Sequence, residues 1–399
     1  MAPLFSAVSR GRELGPRPSL MKTLRATGVW TERGLLPDHT VVVGDDGVIT
    51  GVRPAIPSDG PAADGWLVPG LVNAHTHIER TGPIAPGGKG LAAWVDGSVG
   101  PEGDAEAGAA ELHTAGTAVV SDISNSGDTG EALDAANITG VIQYELLGHD
   151  PSRVREALQF IEGFRERGPL AIRPTAHGPH STAPDVLIAS MRAPSAHPAS
   201  IHVAEHRDES DYLLNGGGPF AQLLAKWGVD TSRFAPPGTS AIQYLAALDL
   251  LGPMTLAVHC VDTDMADMEA LVESQTPVCV CPRSSLHIGG EFADIKTLLK
   301  TGATVVLGTD GRGSSPNLDI LGEFPALYEA APLLPLTWAL AACTHIAANA
   351  LGFPAYGRLR PGLSPGVLLL HGIRRASDLA TPPPREWLVQ PGIAAGALS

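Results

Sequence analysis

The chain has 399 residues, of which 44% are hydrophobic, enough for one large barrel or two ordinary domains with a buried core. Its 27 Lys and Arg residues against 42 Asp and Glu residues give a formal net charge of −15. Because such a field repels phosphate backbones and anionic lipid headgroups, we expect neither nucleic acid nor a membrane as partner. Composition leaves open whether the protein forms a homodimer.

Residues 1–20 contain three arginines, and their apolar runs are short and broken by Pro and Gly. They match neither a secretory signal nor a membrane span. We expect a disordered extension, with Met21 as an alternative start. Four cysteines are too few for a disulfide framework in a chain of this size, which favours the reducing cytoplasm.

Two β-rich runs, residues 40–43 and 48–52, flank a Gly-Asp-Asp-Gly turn, which is a hairpin signature. Near the other end, a Gly- and Pro-rich stretch leads into another short apolar run at residues 367–370. We expect this run to pair with the hairpin unit. The sequence therefore predicts a small composite β-sandwich domain built from residues 21–65 and 355–399.

From residue 66 onward, short apolar runs alternate with helical stretches, a rhythm typical of βα units and a parallel sheet. Eight such runs occur, at residues 66–74, 117–123, 140–147, 170–176, 200–204, 254–261, 277–280 and 303–307. Helices are predicted between them, for example at 153–167, 212–227 and 265–274. Eight parallel strands predict an α/β fold with a (β/α)₈ TIM-type barrel over residues 66–354.

Most polar candidates follow directly after the apolar runs, which is the rim where a (β/α)₈ barrel builds its active site. His75 and His77 follow the first run. Alternation along an extended segment points both imidazoles to one side at a spacing that suits a metal ion. The alternative is two unrelated surface histidines.

His202 lies within the fifth apolar run, and an imidazole buried there needs a partner, either a metal or a backbone carbonyl. Glu205 follows three residues later, where a carboxylate could act as general acid/base or be a solvated loop charge. His259 closes the sixth run. Asp310 closes the eighth, where it could bind a cation or form a turn beside Gly311.

The coincidence of these residues on four strand ends is the strong signal. Three imidazoles and a carboxylate form a nitrogen and oxygen ligand set that fits one catalytic Zn²⁺ and is compatible with Fe²⁺ or Mn²⁺. Cys279 and Cys281 are not accompanied by further Cys or His residues, and we interpret them as residues of the core or of the barrel wall. The run Gly216–Gly218 lacks the Lys of a phosphate loop and is interpreted as a turn or active-site loop.

Several segments together resemble the amidohydrolase superfamily, in the branch that holds cytosine, guanine and adenosine-type deaminases and triazine chlorohydrolases. The resemblance covers nearly the whole chain. The matching segments are VPGLVNAHTH at 68–77, LAAWV at 91–95, HGPHST at 177–182, HVAE at 202–205, VHC at 258–260, CPRSSL at 281–286 and GTDG at 308–311.

This resemblance implies that one divalent metal ion is held by His75, His77, His202 and Asp310. A single ion is implied because no lysine follows the fourth strand, where the binuclear members carry one. The resemblance also implies that Glu205 shuttles protons and that His259 hydrogen-bonds the attacking water, with Asp310 accepting a proton.

The same resemblance implies that His180 contacts the substrate, and it makes Trp94 a second substrate-binding candidate. Two departures from the family pattern weaken inference by analogy. Ser285 replaces an Asn that commonly follows the Pro-x-Ser of strand seven, and Pro365-Gly366 replaces an Ala-Asp pair before the last strand.

Within the branch, the chain most resembles the 6-aminodeoxyfutalosine deaminases of menaquinone biosynthesis. That resemblance implies hydrolytic release of ammonia from a 6-aminopurine nucleoside that carries a benzoate. Arg80, Arg207 or Arg283 could pair with the benzoate. The alternatives are deamination of guanine, adenosine or S-adenosylhomocysteine, chlorohydrolysis, and, remotely, a metal-free barrel that is not an enzyme.

Overall fold

The computed structural model describes residues 21–98, 103–164, 170–232 and 234–392. They form a ring of parallel strands inside a layer of helices, with a mixed sheet packed at one side. The predicted extension 1–20 lies outside the described residues. Within the described ranges, no helix combines the length and apolar character that a membrane crossing requires.

Each of the eight apolar runs contributes to a barrel strand, and we number these barrel strands 1 to 8 in chain order. Barrel strand 8 has two short parts, which are separated by Gly308 and Thr309. The strands are Leu71–His77, Thr117–Ser124, Thr139–Leu146, Ala171–Ala176, Ala199–Val203, Thr255–His259, Val278–Val280, and Val305–Leu307 with Asp310–Gly311.

The strands pair in parallel in two sheets that together give the α/β, (β/α)₈ arrangement. Barrel strands 1 to 4 and Asp310–Gly311 form one sheet, and barrel strands 5, 6, 7 and Val305–Leu307 form the other. The chain itself joins the sheets within barrel strand 8. Between barrel strands 4 and 5, the His202 amide donates to the His177 carbonyl at 2.9 Å, and Thr175 Oγ1 donates to the Ser200 carbonyl at 2.6 Å.

Helices surround the ring and cover its apolar outer face. The α-helices are Leu91–Ser98, Ala105–Thr114, Gly130–Ala135, Pro151–Gly163, Pro184–Met191, Arg207–Asn215, Gly218–Lys226, Ala241–Ala247, Met265–Glu273, Pro282–Gly289, Ile295–Thr301, Glu323–Ala330, Leu336–Ala342 and His345–Ala350. Short 3₁₀ helices lie at Pro57–Asp59, Ile320–Gly322 and Ala376–Ala380.

The single helix predicted at 212–227 is wrong, because the structure has two helices there. Gly216 ends the first in the left-handed region at φ 73°, and its amide donates to the Tyr212 carbonyl. Gly217 then caps the second helix. A left-handed C-terminal residue is a helix stop that glycine adopts without strain, so the glycine run is a break between helices.

The mixed sheet at the side draws on both ends of the described chain. Its strands are Lys22–Thr31, Gly34–Pro37, His39–Val43, Ile49–Pro54, Ala63–Pro69, Val367–His371 and Arg385–Val389. His39–Val43 and Ile49–Pro54 form the predicted hairpin. Val367–His371 pairs antiparallel with Ala63–Pro69, which in turn pairs in parallel with Lys22–Thr31.

The apolar run at 66–74 was predicted as one strand, and this is also wrong. Ala63–Pro69 belongs to the side sheet, whereas Leu71–His77 is barrel strand 1. The predicted domain boundary at residue 66 therefore falls inside a strand of the side sheet. Gly70 lies at the junction, where an added Cβ would come within 2.5 Å of Ala118 Cβ and 2.6 Å of the Pro365 carbonyl oxygen.

Candidate metal centre and pocket

His75, His77, His202 and Asp310 meet at the carboxyl ends of the barrel strands. One ring nitrogen from each of the three histidines lies within 4.8 Å of the other two. Asp310 Oδ1 is 3.3 Å from His77 Nε2 and 3.8 Å from His75 Nε2. The structure thus brings these four side chains, separated by up to 235 positions in sequence, around one point.

Asp310 is held in place by hydrogen bonds that leave Oδ1 turned toward the imidazoles. Its Oδ2 accepts from Ser284 Oγ at 2.6 Å and from Ser314 Oγ at 3.1 Å. Burial acts to raise the pKa of Asp310, but the neighbouring imidazoles and the Ser284 hydrogen bond outweigh it and lower that pKa below its usual range. The group is therefore a carboxylate, the form that binds a cation.

The backbone at two strand ends adopts the left-handed region although neither residue is glycine. Asp310 has φ 58° and His259 has φ 77°. Such conformations cost free energy and persist where the surrounding structure holds them, as at active sites. They turn the two side chains toward the centre of the ring.

The orientation of His202 is set by its other ring nitrogen. His202 Nδ1 lies 2.9 Å from the His177 carbonyl oxygen and 3.6 Å from Glu145 Oε1. With two acceptors on that side, Nδ1 carries the proton and Nε2 is left with its lone pair. This is the arrangement expected of a histidine that binds a metal through Nε2.

Unsatisfied buried nitrogens support a metal at this point. His75 is fully buried, and its Nε2 has no hydrogen-bond partner among the described residues. Burial lowers the pKa of His75 well below its usual value and that of His77 to about 4, so both rings are neutral at pH 7. Neutral imidazoles are metal ligands, and the donor set therefore fits a divalent ion.

Glu205 and His259 lie beside the ligand set, which consists of the histidine trio (His75, His77 and His202) and Asp310. Glu205 Oε1 is 3.6 Å from His259 Nε2, and ligand atoms of Glu205, His259 and Asp310 lie within 4.8 Å of one another. Burial, followed by the charge of Asp310, raises the pKa of Glu205 well above its usual value. A raised pKa favours the protonated form of the carboxyl group, which is the form that can donate a proton to a substrate.

A cavity of about 460 Å³ opens above these groups. Three of the five predicted substrate-binding residues line it: His180, Trp94 and Arg80. The described residues of its wall also include His77, Leu91, Val95, Ser98, Asn125, Glu145, Leu147, His177, His202, Glu205, Trp227, Asp310, Gly311, Gly313 and Ser314. The floor is polar, whereas much of the wall is apolar.

The structure does not place Arg207 and Arg283 in the cavity. Arg207 is exposed at the start of its helix. The Arg283 guanidinium bonds Glu323 Oε1 at 2.5 Å through Nε and Asn317 Oδ1 at 2.7 Å through Nη1. The Arg283 donors are therefore used in a structural ion pair. The position of Arg283 next to an active-site motif in the sequence does not reveal this pairing.

Sequence reasoning missed Glu145 and His177, which also line the cavity. His177 follows barrel strand 4 directly, and Glu145 is next to last in barrel strand 3. Both positions carry the signal used for the other residues, a polar group at the end of an apolar run. Applying that rule to every strand end would have found them.

Comparisons with known proteins identify a family and several relatives. A model described as "Amidohydrolase family" matches residues 66–372. A protein of Pelotomaculum thermopropionicum named 5-methylthioadenosine/S-adenosylhomocysteine deaminase is 27% identical over 371 residues, which cover 84% of this chain and 81% of that protein. A 5'-deoxyadenosine deaminase of Methanothrix thermoacetophila is 25% identical, covering 75% of this chain and 72% of that protein.

Among solved structures, the fold is similar to that of Helicobacter pylori aminofutalosine deaminase. The TM-score is 0.77 at 20% identity, and the match covers 93% of this chain and 99% of that one. At this identity the likeness is evidence for the shared fold only.

Proposed function

Because the chain belongs to the amidohydrolase family, we propose that it is a hydrolytic deaminase of 6-aminopurine nucleosides. It is an enzyme, a hydrolase that acts on C–N bonds. The observation that carries the proposal is the position of Glu205, a carboxyl group with a raised pKa, which lines the cavity beside Asp310. Relatives named as adenosine-analogue deaminases support the substrate class.

His75, His77, His202 and Asp310 would hold one divalent ion, for which we propose Zn²⁺. Such an ion, when bound, supplies Lewis-acid activation of water at neutral pH. The three imidazoles and the one carboxylate match the ligand types that zinc prefers, although Fe²⁺ and Mn²⁺ use them as well.

The protein residues account for the proton movements of the reaction. Glu205 Oε1 would protonate the ring nitrogen next to the amidine carbon while water adds to that carbon. His259 and Asp310, on the same side of the floor, would orient the water and accept its proton. The C–N bond to the amino group then breaks, and the amino group takes up the proton accepted from the water and leaves as ammonia. The hydroxyl proton returns to Glu205 as the oxygen becomes a carbonyl.

The specific substrate we favour is 6-aminodeoxyfutalosine. Arg80 is the one Lys or Arg among the described residues that line the cavity. Its Nη2 donates to Asn125 Oδ1 at 3.1 Å, which leaves further donors for an anion. A planar guanidinium suits a benzoate carboxylate, because it can donate two parallel hydrogen bonds to it.

A second candidate is deamination of 5'-substituted adenosines such as 5-methylthioadenosine or S-adenosylhomocysteine. The named relatives favour it, and so does the apolar part of the wall. Leu147 and Trp227 are each 43% exposed at the cavity, beside Trp94. Such a surface would hold a neutral thioether group as readily as an aromatic ring.

We further propose that the enzyme acts in the cytoplasm on a small-molecule substrate. The four cysteines are all buried and free. The net charge of −15 disfavours nucleic acid as substrate, so we expect free nucleosides to be turned over and the same bases within an oligonucleotide to be left unchanged.

Ammonia release from a panel of nucleosides tests the proposal. The panel contains 6-aminodeoxyfutalosine, 5-methylthioadenosine, S-adenosylhomocysteine, adenosine and guanine, each supplied to the zinc-loaded protein. We expect kcat/KM to be highest for 6-aminodeoxyfutalosine, and Arg80→Met to lower that value by about tenfold or more through loss of a charge-assisted bond. Absence of turnover with every adenine nucleoside would overturn the proposal.

A further inference from the structure

Glu209 is a buried carboxylate that the mechanism above does not use. It lies in the first turn of helix Arg207–Asn215, fully buried. Its Oε2 accepts a hydrogen bond from the Glu205 amide at 2.9 Å. Because an ionised group costs much free energy to bury, its remaining lone pairs need a partner.

Its other oxygen faces the substrate-side histidine. Glu209 Oε1 lies 3.4 Å from His180 Nδ1, and His180 is 1% exposed. Neither atom makes a hydrogen bond of ordinary geometry with any described residue, so each is left facing the other. The distance is long for a charge-assisted bond, but such contacts in ligand-free enzymes often shorten when substrate binds.

The rest of the His180 environment fixes the ring in this position. Its carbonyl oxygen is 3.0 Å from His149 Nε2, and its ring packs edge-on against Phe220 with centroids 4.7 Å apart. His180 also lines the cavity. With Nδ1 turned to Glu209, Nε2 is the nitrogen left to contact a substrate.

We propose that Glu209 is a positioning residue that directs the Nδ1 proton of His180 and ties this histidine to the backbone of Glu205. One carboxylate then sets the geometry of the substrate-side imidazole and of the acid/base residue together. Glu209→Gln separates the two tasks, because the amide oxygen can still accept from the Glu205 N–H while the negative charge is removed.

The first test needs no catalysis and uses the ring nitrogens of ¹⁵N-histidine-labelled protein observed by NMR. The His180 signals are identified by their loss in His180→Ala. We expect Nδ1 to carry a proton in the wild type, and that signal to shift or broaden in Glu209→Gln but not in Asp267→Asn. Asp267 is a matched control, since it is also buried but bonds Ser240 at a distance from the cavity. An unprotonated Nδ1 in the wild type would overturn the inference.

The second test is a double-mutant cycle on the best substrate of the panel, and this arm rests on the proposed function. We expect Glu209→Gln to raise KM about tenfold with kcat changed less than about threefold, as for loss of one charge-assisted contact to a substrate-binding group. Combined with His180→Ala, it should add nothing further. Additive effects of the two substitutions would overturn the inference. If the wild type turns over no nucleoside, the proposed function fails, and the NMR result alone supports or overturns the role of Glu209.

Discussion

Glu205 combines two properties that an acid/base residue needs. It is buried beside the ligand set, and its pKa is raised well above the usual value by burial and by the charge of Asp310. Its Oε1 lies 3.6 Å from His259 Nε2. We therefore propose that Glu205 transfers protons and does not hold the ion.

Replacing Glu205 by Gln should separate catalysis from metal binding. We expect the metal content to stay at one ion per chain while kcat falls by about 10²-fold or more, because general acid/base catalysis is lost. Metal analysis and steady-state kinetics measure the two quantities. Glu269→Gln, at an exposed position, is the control and should retain wild-type kcat. A Glu205→Gln enzyme with a near-normal rate would remove Glu205 from this role.

Asp310 lies against the imidazole trio, with Oδ1 3.3 Å from His77 Nε2 and 3.8 Å from His75 Nε2. We expect Asp310→Asn to lower the bound zinc after dialysis to a small fraction of the wild-type content. Zinc should also stabilise the wild type against denaturant, by about 4 kcal/mol at a thousandfold excess over Kd, and the variant much less. The exposed helix cap Asp294→Asn is the control. Undiminished zinc in Asp310→Asn would contradict the predicted ligand set.

At the scale of elements, the junction between the side sheet and barrel strand 1 depends on Gly70. An added Cβ would press on Ala118 Cβ at 2.5 Å and on the Pro365 carbonyl oxygen at 2.6 Å, neither of which is a flexible side-chain end. Both strands that meet there are buried, so the backbone cannot shift freely. The absence of a side chain at Gly70 lets one extended run pass from one sheet into the other.

Gly70→Ala should therefore destabilise the protein by about 1–3 kcal/mol, the usual cost of overpacking. The midpoint of urea denaturation measures the change. Gly82→Ala is the matched control because no atom lies within 4 Å of its added Cβ. Equal midpoints for the two variants would show that the junction tolerates a side chain.

At the scale of the whole molecule, one ion pair ties the side sheet to the barrel. Arg385 in strand Arg385–Val389 donates from Nη1 and Nη2 to the two oxygens of Asp319 at 2.7 and 2.6 Å. Nη1 also donates to the Ala115 carbonyl at 3.1 Å. The side chains are only 9% and 19% exposed, so solvent screens this pair weakly.

Arg385→Met should lower the free energy of unfolding by about 1–3 kcal/mol, because the Asp319 carboxylate loses its bidentate partner while remaining largely buried. Thermal or urea denaturation checks this. Arg374→Met removes a similar pair to Asp64, but one in which the side chains are 76% and 56% exposed, and should have no measurable effect. A stable Arg385→Met protein would mean that apolar packing and the remaining hydrogen bonds, such as Trp387 Nε1 to the His113 carbonyl, suffice to join the side sheet to the barrel.

The amino-acid sequence was sufficient to predict the number of barrel strands and to propose the residues of the metal centre. Alternating apolar runs and helical stretches indicate a parallel sheet, and the carboxyl ends of parallel strands share one rim. A polar residue that closes such a run therefore has a predictable location, as His75, His202 and Asp310 illustrate. Local periodicity and strand direction were sufficient for this part.

The packing of strands and helices sets which distant groups meet around that rim. Of the arginine candidates, Arg80 lines the cavity, whereas Arg283 is paired with Glu323. The fold also places Glu209 beside His180, although the two residues are 29 positions apart in the sequence. Such distances depend on how strands and helices pack, and periodicity carries no information about packing between elements. For the same reason, the division of residues 66–74 between two sheets at Gly70 was visible only in the fold.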